Sequence, residues 1–206
     1  MDRPLFRFVT LVLGVSLLAS GGCVPTPESA PTNFYILSSL SGAETKKPTA
    51  AKNNRTTVGV GPVVLASYLD RPQFVTRAGR NQLRLAEFHH WGESLKDNVP
   101  RVLAENLSFL LSTPNVFVYP WRTAPPIDHQ VSVEVVRFDA DESGSVTLLA
   151  RWALSQRSQR ETFLTHSSNI RVPFGRGSYE DIASAMSKAL ADLSREIAAA
   201  IQARPK

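Results

Sequence analysis

The chain has 206 residues, of which 43% are hydrophobic, and it carries a formal net charge of +5 at pH 7. This length and composition suffice for the buried core of an ordinary domain and exclude a wholly disordered protein. The single cysteine excludes an internal disulfide, and the basic residues form no stripe interleaved with aromatic residues, which argues against a nucleic-acid partner.

Residues 1–22 have the pattern of a secretory signal peptide. Arg3 and Arg7 precede an apolar run at residues 8–19, and small residues follow that run. As a helix, this run would span about 18 Å, well short of the roughly 30 Å hydrocarbon core of a bilayer. A membrane-spanning helix is therefore the less favoured interpretation, and the pattern predicts a protein that leaves the cytoplasm.

Cys23 closes this segment in the sequence ASGGC. That sequence resembles a bacterial lipobox, in which the cysteine carries covalent lipid on its sulfur and, after cleavage, on its amine. Several acyl chains hold a protein stably at a membrane, whereas one chain holds it only marginally. By the same resemblance, Val24 in place of aspartate implies transfer to the outer membrane. Ser20 stands where the motif usually has leucine, so an ordinary signal peptide followed by an incidental cysteine stays open.

Beyond the signal peptide, we predict a proline-rich tether over residues 23–33 and a single domain over residues 34–203. The run FYIL at residues 34–37 is β-prone and is expected to pair as a strand. A polar segment rich in alanine and lysine, at about residues 41–55, is predicted to be a flexible insert within that domain.

The remaining short apolar runs predict a mixed sheet. TVGVGPVVL at residues 57–65 is apolar on both faces, as in a strand that is covered on both sides. QFVTR and QLRLAEF flank AGRN and predict a hairpin, because Gly79 and Asn81 tolerate positive φ. Further strands are predicted at VFVY, QVSVEVVRF, VTLLARWAL and FLTHSSNIRVPF.

Two long helices are predicted from apolar residues that recur every three or four positions. The first covers residues 94–112 and contains Pro100, which should shift or kink its first turn. The second begins after Ser178, where Asp181 completes an N-cap signature. Its apolar stripe consists of Ile182, Met186, Leu190, Leu193, Ile197 and Ile201. Together these elements predict an α/β fold, at the border of α+β, with a mixed β-sheet and two long helices.

A search for catalytic and metal-binding patterns finds two weak candidates. The segment 139–150 resembles a calcium loop, but Ala150 stands where a bidentate glutamate is required, so a solvated hairpin turn is favoured. Gly175 and Gly177 before Ser178 could hold an anion at a helix N-terminus, but a turn explains these glycines better. No catalytic motif or carboxylate pair is evident, so the sequence predicts a binding protein and not an enzyme, with no cofactor and no metal.

The loop at residues 66–77 contains the turn sequence DRP, surrounded by the bulky side chains of Tyr68, Leu69 and Phe74. One interpretation places the aromatic side chains in the core, with Asp70 capping its own backbone. The other is an exposed surface that contacts a protein partner, because tyrosine and arginine are favoured residues at interfaces.

Five stretches together resemble the PqiC family of ABC-type transport auxiliary lipoproteins: YLDRPQFVTR, RLAEFHHWGESL, RVLAENLSFLL, VYPW and AMSKALADLSREIAAAI. The resemblance extends from FYIL to Ile201. It implies an outer-membrane lipoprotein that faces the periplasm, with a three-layer α/β fold around a mixed sheet. It also implies a partnership with an MCE-domain protein, which forms a tunnel for lipid between the two membranes. Pro100 and Ser20 depart from the family pattern.

From this resemblance we expect a non-enzymatic docking or assembly subunit of an MCE-type intermembrane lipid transport system. It would be anchored in the outer membrane by covalent lipid on Cys23, and a homo-oligomer is a further expectation. The residues expected at the partner surface are Tyr68, Leu69, Asp70, Arg71, Pro72 and Gln73, with Trp91, Pro120 and Trp121 as further contributors. The alternative is a periplasmic carrier lipoprotein that binds an acyl chain between helix and sheet. A cell-wall hydrolase on a lipid tether is disfavoured, because no nucleophile or metal-ligand set is evident.

Overall fold

A computed structural model of the chain describes residues 30–43, 56–121, 126–156, 162–175 and 177–203. The elements follow in the order β1 (Asn33–Tyr35), α1 (Leu40–Ala43), β2 (Val58–Leu65), a 3-10 turn (Ser67–Leu69), β3 (Gln73–Arg77), β4 (Leu83–Trp91), α2 (Leu95–Leu111), β5 (Val116–Val118), β6 (His129–Asp141), β7 (Ser145–Gln156), β8 (Thr162–Pro173) and α3 (Tyr179–Gln202). The predicted signal peptide, Cys23 and most of the polar insert lie outside the described residues, so the lipid attachment stays a prediction.

The eight strands form one mixed sheet that forks at β6. The first half of β6 pairs in parallel with β2, up to the pair Leu65↔Val135, and β2 pairs in parallel with β5. The second half pairs in parallel with β3 at Thr76↔Ala140 and Arg77↔Asp141. From there the sheet continues through the predicted β3–β4 hairpin to β1. Because antiparallel β7 occupies the other edge of β6 along its whole length, the segment that joins β2 to β3 lies at the fork.

Side chains of β6 alternate between buried and more exposed positions, which is the pattern of a sheet covered on one face. Val131, Val133 and Val135 are buried, whereas Ser132 and Glu134 between them are not. Strand β7 alternates in the same way and buries a matching apolar row, which consists of Val146, Leu148, Ala150, Trp152 and Leu154. The core therefore lies on one side of the sheet.

The long helices α2 and α3 pack on this buried face and contact each other. In the seam between them, Asn106 Nδ2 donates a buried hydrogen bond of 3.1 Å to Ser194 Oγ. The α/β class, the mixed sheet and the two long helices are confirmed.

The ends of the helices follow from local sequence. Ser94 caps α2, which continues through Pro100 in its second turn at the cost of one backbone hydrogen bond. Ser178 and Asp181 form the predicted capping box of α3. The Asp181 carboxylate accepts a 2.6 Å bond from the Ser178 backbone N–H and so occupies the place where an anion would bind. Among the described residues, no helix is long and apolar enough to cross a membrane.

Candidate functional site

The segment between β2 and β3 forms a tight turn at the fork of the sheet. Backbone bonds from Leu69 to Ala66 (2.9 Å), from Asp70 to Ser67 (3.2 Å) and from Arg71 to Leu69 (2.9 Å) define it. Pro72 ends this run of donors because it has no N–H, and β3 begins at the next residue. We call residues 70–73 of this segment, which are exposed or half-buried, the docking turn, after the partner contact that the resemblance predicts for them.

The docking turn rests on a buried ion cluster. Asp139 at the end of β6 is fully buried, and its carboxylate accepts four hydrogen bonds from three side chains. Tyr68 donates its hydroxyl proton over 2.8 Å, and Arg137 donates from Nε over 2.8 Å. Arg77 of β3 binds with two nitrogens, Nη2 at 2.9 Å and Nε at 3.3 Å. Such paired, fully hydrogen-bonded carboxylates hold their neighbours in one geometry.

Tyr68 also binds a backbone N–H group where the pairing of the sheet is irregular. The register between β6 and β7 shifts between Val135 and Arg137, where β6 changes partner from β2 to β3. At this point the Tyr68 hydroxyl accepts a 3.3 Å bond from the backbone N–H of Phe138. The same oxygen therefore donates to the ion cluster and satisfies a backbone donor next to the fork.

The electrostatics of the cluster favour a protonated Tyr68 and a charged Arg77. Burial, together with the bond to Asp139 and the charge of that carboxylate, raises the pKa of Tyr68 to about 12. The hydrogen bond to Asp139 likewise raises the pKa of Arg77. At neutral pH, the Tyr68 hydroxyl therefore keeps its proton and donates it to Asp139.

Arg71 differs from the arginines of the ion cluster. Its side chain is half-buried, and its Nε atom is shielded from solvent without a hydrogen-bond partner among the described residues. A shielded donor without an acceptor is unfavourable, so unpaired donors of this kind are uncommon in folded proteins. Asp70 and Pro72 on either side of Arg71 are exposed. The docking turn thus combines a half-buried guanidinium with an accessible carboxylate.

Two of the residues expected at the partner surface belong to the core. Leu69 is 2% exposed and Trp91 is 6% exposed, so neither is accessible to a partner. The Trp91 ring stacks on Phe74 with the centroids 4.0 Å apart, and its backbone N–H donates to the Pro72 carbonyl over 2.6 Å. Trp91 therefore fixes the backbone of the docking turn at Pro72. The interpretation that places part of this loop in the core applies to Leu69 and to Phe74, which is 1% exposed.

Trp121 lies in another part of the sheet. It is half-buried, contacts the ring of Tyr119 edge-on at 5.2 Å, and covers Gly59 near the start of β2. The docking turn follows the opposite end of β2. The structure therefore does not bring Trp121, or the neighbouring exposed Pro120, together with Tyr68–Gln73.

Sequence reasoning did not identify Asp139 as part of the site. The predicted hairpin turn is present, but it lies between Asp141 and Ser145, where Gly144 has a φ of 78°. Asp139 belongs to the preceding strand and is buried, which corrects the interpretation of this segment as wholly solvated. No local feature of the sequence distinguishes Asp139 from Asp141. Only the pairing of β6 with β3 places Arg77 beside Asp139.

Other groups of polar side chains have structural roles. His89 and His90 point to opposite faces of β4, as adjacent strand residues must. His89 stacks on Tyr179 of α3 at 3.9 Å and is hydrogen-bonded to the Tyr35 hydroxyl at 2.8 Å, whereas His90 contacts the exposed Phe34. In the described part of the chain, no three His, Cys, Asp or Glu side chains are grouped to hold a metal ion.

Comparison with known proteins identifies the family of the chain. The family model described as the ABC-type transport auxiliary lipoprotein component matches residues 35–198. A crystal structure of an uncharacterized protein has a TM-score of 0.65 at 18% identity and covers 83% of this chain and 99% of its own. A DUF330 protein from Xanthomonas campestris has a TM-score of 0.61 at 15% identity, and the match covers 80% of this chain and 92% of that protein. At these identities the two structures show a shared fold. No curated protein matches the chain.

Proposed function

The chain belongs to the family of ABC-type transport auxiliary lipoproteins, and on that basis we propose that it is a non-enzymatic docking subunit of an MCE-type intermembrane lipid transport system. In this proposal, acyl chains on Cys23 hold the protein in the outer membrane, with its domain in the periplasm. The domain binds the periplasm-spanning MCE protein and keeps the end of its lipid tunnel at that membrane.

The half-buried guanidinium of Arg71 beside the exposed carboxylate of Asp70 is the observation that carries the docking role. A carboxylate or a carbonyl of the partner would bind the accessible part of this guanidinium, and arginine is favoured for such contacts. The exposed Asp70 carboxylate offers a second charged contact of opposite sign. We therefore propose the docking turn, and not Leu69 or Trp91, as the partner surface.

The buried support of the docking turn favours this role. The ion cluster of Tyr68, Asp139, Arg77 and Arg137 fixes the chain before the turn, and the Trp91 N–H binds the carbonyl of Pro72 within it. A surface that is already ordered loses little conformational entropy when a partner binds. A rigid docking turn therefore suits a subunit whose task is to position another protein.

The test is capture of the MCE protein by the tagged, full-length lipoprotein from detergent-solubilised membranes. The variant Arg71→Glu should lose the MCE protein while its thermal unfolding stays near that of the wild type. Arg151→Glu is the matched control, because Arg151 is 64% exposed on β7, away from the turn. Parallel loss of capture and stability in Arg71→Glu would assign the turn a structural role, and loss in the control alone would move the docking surface to the open sheet face.

The anchor has an independent test. We expect the protein extracted from membranes to begin at Cys23 and to carry the mass of its acyl chains, and we expect it to fractionate with the outer membrane. An uncleaved chain with a free thiol would contradict the anchor without bearing on the docking turn. Native mass measurement of the same sample would give the number of copies in the assembly.

A cleft beside α2 favours the carrier alternative. It has a volume of about 630 Å³ and lies between α2 and the edge strand β5. Its apolar lining includes Ala104, Phe109, Pro114, Val116 and Val118. A carrier would retain lipid in native mass spectra and would lose it in Val118→Glu. A wild-type protein that carries no lipid would leave docking as the function.

A further inference from the structure

Two large apolar side chains project into solvent where the tether enters the domain. Phe34 in β1 is 67% exposed and Ile36, just after this strand, is 57% exposed, whereas Leu37 is 1% exposed and Tyr35 is half-buried. The chain thus alternates as a strand does, with its inward positions in the core. Outward positions at such an edge are ordinarily polar, but here they are phenylalanine and isoleucine.

These two side chains are neighbours. A Cβ atom added to Gly92 would lie 3.5 Å from Ile36 Cγ2 and 3.8 Å from Phe34 Cβ, so both side chains stand beside this glycine. The Gly92 N–H donates a 2.7 Å bond to the Tyr35 carbonyl, which fixes the chain between them. We call Phe34 and Ile36 the apolar ridge.

Buried contacts hold the apolar ridge in its exposed position. The backbone N–H groups of Leu37 and Leu40 donate to two asparagines of α2, Asn98 at 2.9 Å and Asn106 at 2.7 Å. Both asparagines are fully buried. The Ser38 N–H donates to Ser187 Oγ of α3 over 3.0 Å. The exposure of the ridge is therefore imposed by the fold and is not fraying of a chain end.

A shallow groove of about 350 Å³ adjoins the apolar ridge, between the segment 36–40 and α3. Ile36 lines it together with alanines of α3, two cations and one carboxylate, which are Ala183, Ala191, Lys188, Arg195 and Glu180. Apolar side chains beside cations are typical of protein surfaces that lie at the headgroup level of anionic membranes.

The position of the apolar ridge along the chain indicates its occupant. Phe34 lies eleven positions after Cys23, and a chain of that length reaches at most about 40 Å. Among the described residues, the ridge is thus the cluster of exposed large apolar side chains nearest in sequence to the predicted acyl chains. A contact that is weak in free solution becomes populated when a tether holds its two parties together.

We propose that the apolar ridge enters the interfacial region of the bilayer to which Cys23 is anchored, and so sets the orientation of the domain on the membrane. The inference rests on the acyl anchor proposed above. With this orientation, the docking turn keeps a defined direction relative to the membrane, because ridge and turn are parts of one folded unit, Thr32–Lys206.

The test uses the acylated full-length protein in vesicles of phosphatidylethanolamine and phosphatidylglycerol. Acylation is first verified by mass, and it blocks Cys23, so that one introduced cysteine can carry an environment-sensitive dye. Dyes at Phe34→Cys and Ile36→Cys should emit at shorter wavelength and be quenched several-fold more strongly by brominated lipid than a dye at Leu85→Cys. Leu85 is the matched control, because it is a 47% exposed apolar residue of β4 outside the ridge.

A second measurement leaves the ridge free of dye. A dye at Ser184→Cys, in the adjoining groove, should be quenched in the wild-type background and several-fold less in the Phe34→Ser/Ile36→Ser background. Equal quenching at all sites of an acylated protein would overturn the membrane contact. A wavelength shift that grows with protein concentration without vesicles would also overturn it and would assign the ridge to contact between copies. Absence of acyl chains in the mass spectrum would instead contradict the anchor itself.

Discussion

The hydroxyl of Tyr68 donates a 2.8 Å hydrogen bond to Oδ2 of Asp139, which lies 71 positions further along the chain. This bond joins the segment that carries the docking turn to the strand at which the sheet forks. Asp139 is fully buried and is also bound by Arg77 and Arg137. The exposed Asp70 and half-buried Arg71 are therefore presented from a base whose geometry is set by buried contacts.

Removal of the Tyr68 hydroxyl should destabilise the fold, although the aromatic ring stays in place. Tyr68→Phe leaves the Phe138 N–H without its acceptor and Asp139 without one donor, so we expect the free energy of unfolding to fall by about 1–3 kcal/mol. Urea denaturation measures this change. Tyr179→Phe is the matched control, because this ring stacks on His89 and its loss of a hydroxyl should cost less than about 0.5 kcal/mol. Equal effects in both variants would contradict a special role for Tyr68.

Neutralisation of Asp139 should have a larger effect. Asp139→Asn leaves two guanidinium groups facing a buried site without their counter-charge, and breaking a buried ion pair costs about 3–5 kcal/mol. Arg77 and Arg137 retain 23% and 28% exposure, so we expect the lower end of that range. The control Glu134→Gln breaks a pair with Arg151 in which both side chains are more than half exposed, and it should cost less than about 1 kcal/mol. Denaturant unfolding of both variants decides between these outcomes.

The stability contributed by Tyr68 should disappear at alkaline pH. Its pKa is raised to about 12 in the folded protein, whereas an unfolded tyrosine titrates near pH 10. The contribution is complete below about pH 10 and is lost as the pH rises toward about 12, because only the unfolded chain releases the proton in that window. The stability difference between wild type and Tyr68→Phe, measured by urea unfolding, should therefore narrow above about pH 10. A constant difference across this window would contradict the assignment.

Asn98 should be required for both stability and the apolar ridge. Asn98→Ala removes the buried acceptor of the Leu37 N–H, and an unsatisfied buried donor costs about 1–3 kcal/mol. Without this bond, the segment that carries the apolar ridge is held less firmly. A dye at Ser184→Cys should therefore also be quenched less by brominated lipid. Asn169→Ala, an exposed position on β8, should change stability by less than about 0.5 kcal/mol. If Asn98→Ala is destabilised but the quenching is unchanged, the apolar ridge does not depend on the hydrogen bond to Asn98.

Local patterns in the sequence were sufficient for most of the secondary structure. The stripe from Ile182 to Ile201 and the Ser178–Asp181 capping box predicted α3, and the Gly79–Asn81 turn predicted the β3–β4 hairpin. These features depend on residues a few positions apart, whose periodicity and capping chemistry are readable directly. The family could be predicted as well, because its motifs are contiguous stretches of the chain.

The partner surface could be predicted only in part, because burial is decided by contacts between distant segments. Leu69 and Trp91 have side chains that suit an interface, yet the packing of β3, β4 and α3 places both in the core. Trp121 is separated from the docking turn because β2 carries the two features at its opposite ends. Nothing in the local pattern of hydrophobic residues distinguishes these positions from exposed ones.

The types of the elements, the helix caps, the family and the turn at Asp70–Pro72 could be read from contiguous stretches of the chain. Three features emerge only from the fold: Asp139 is a buried counter-ion, the Nε atom of Arg71 has no hydrogen-bond partner among the described residues, and Phe34 and Ile36 face solvent. The difference lies in the range of the interactions. Capping and periodicity act within one or two turns of helix or strand, whereas the fork of the sheet joins β3 to β6 across more than 60 positions.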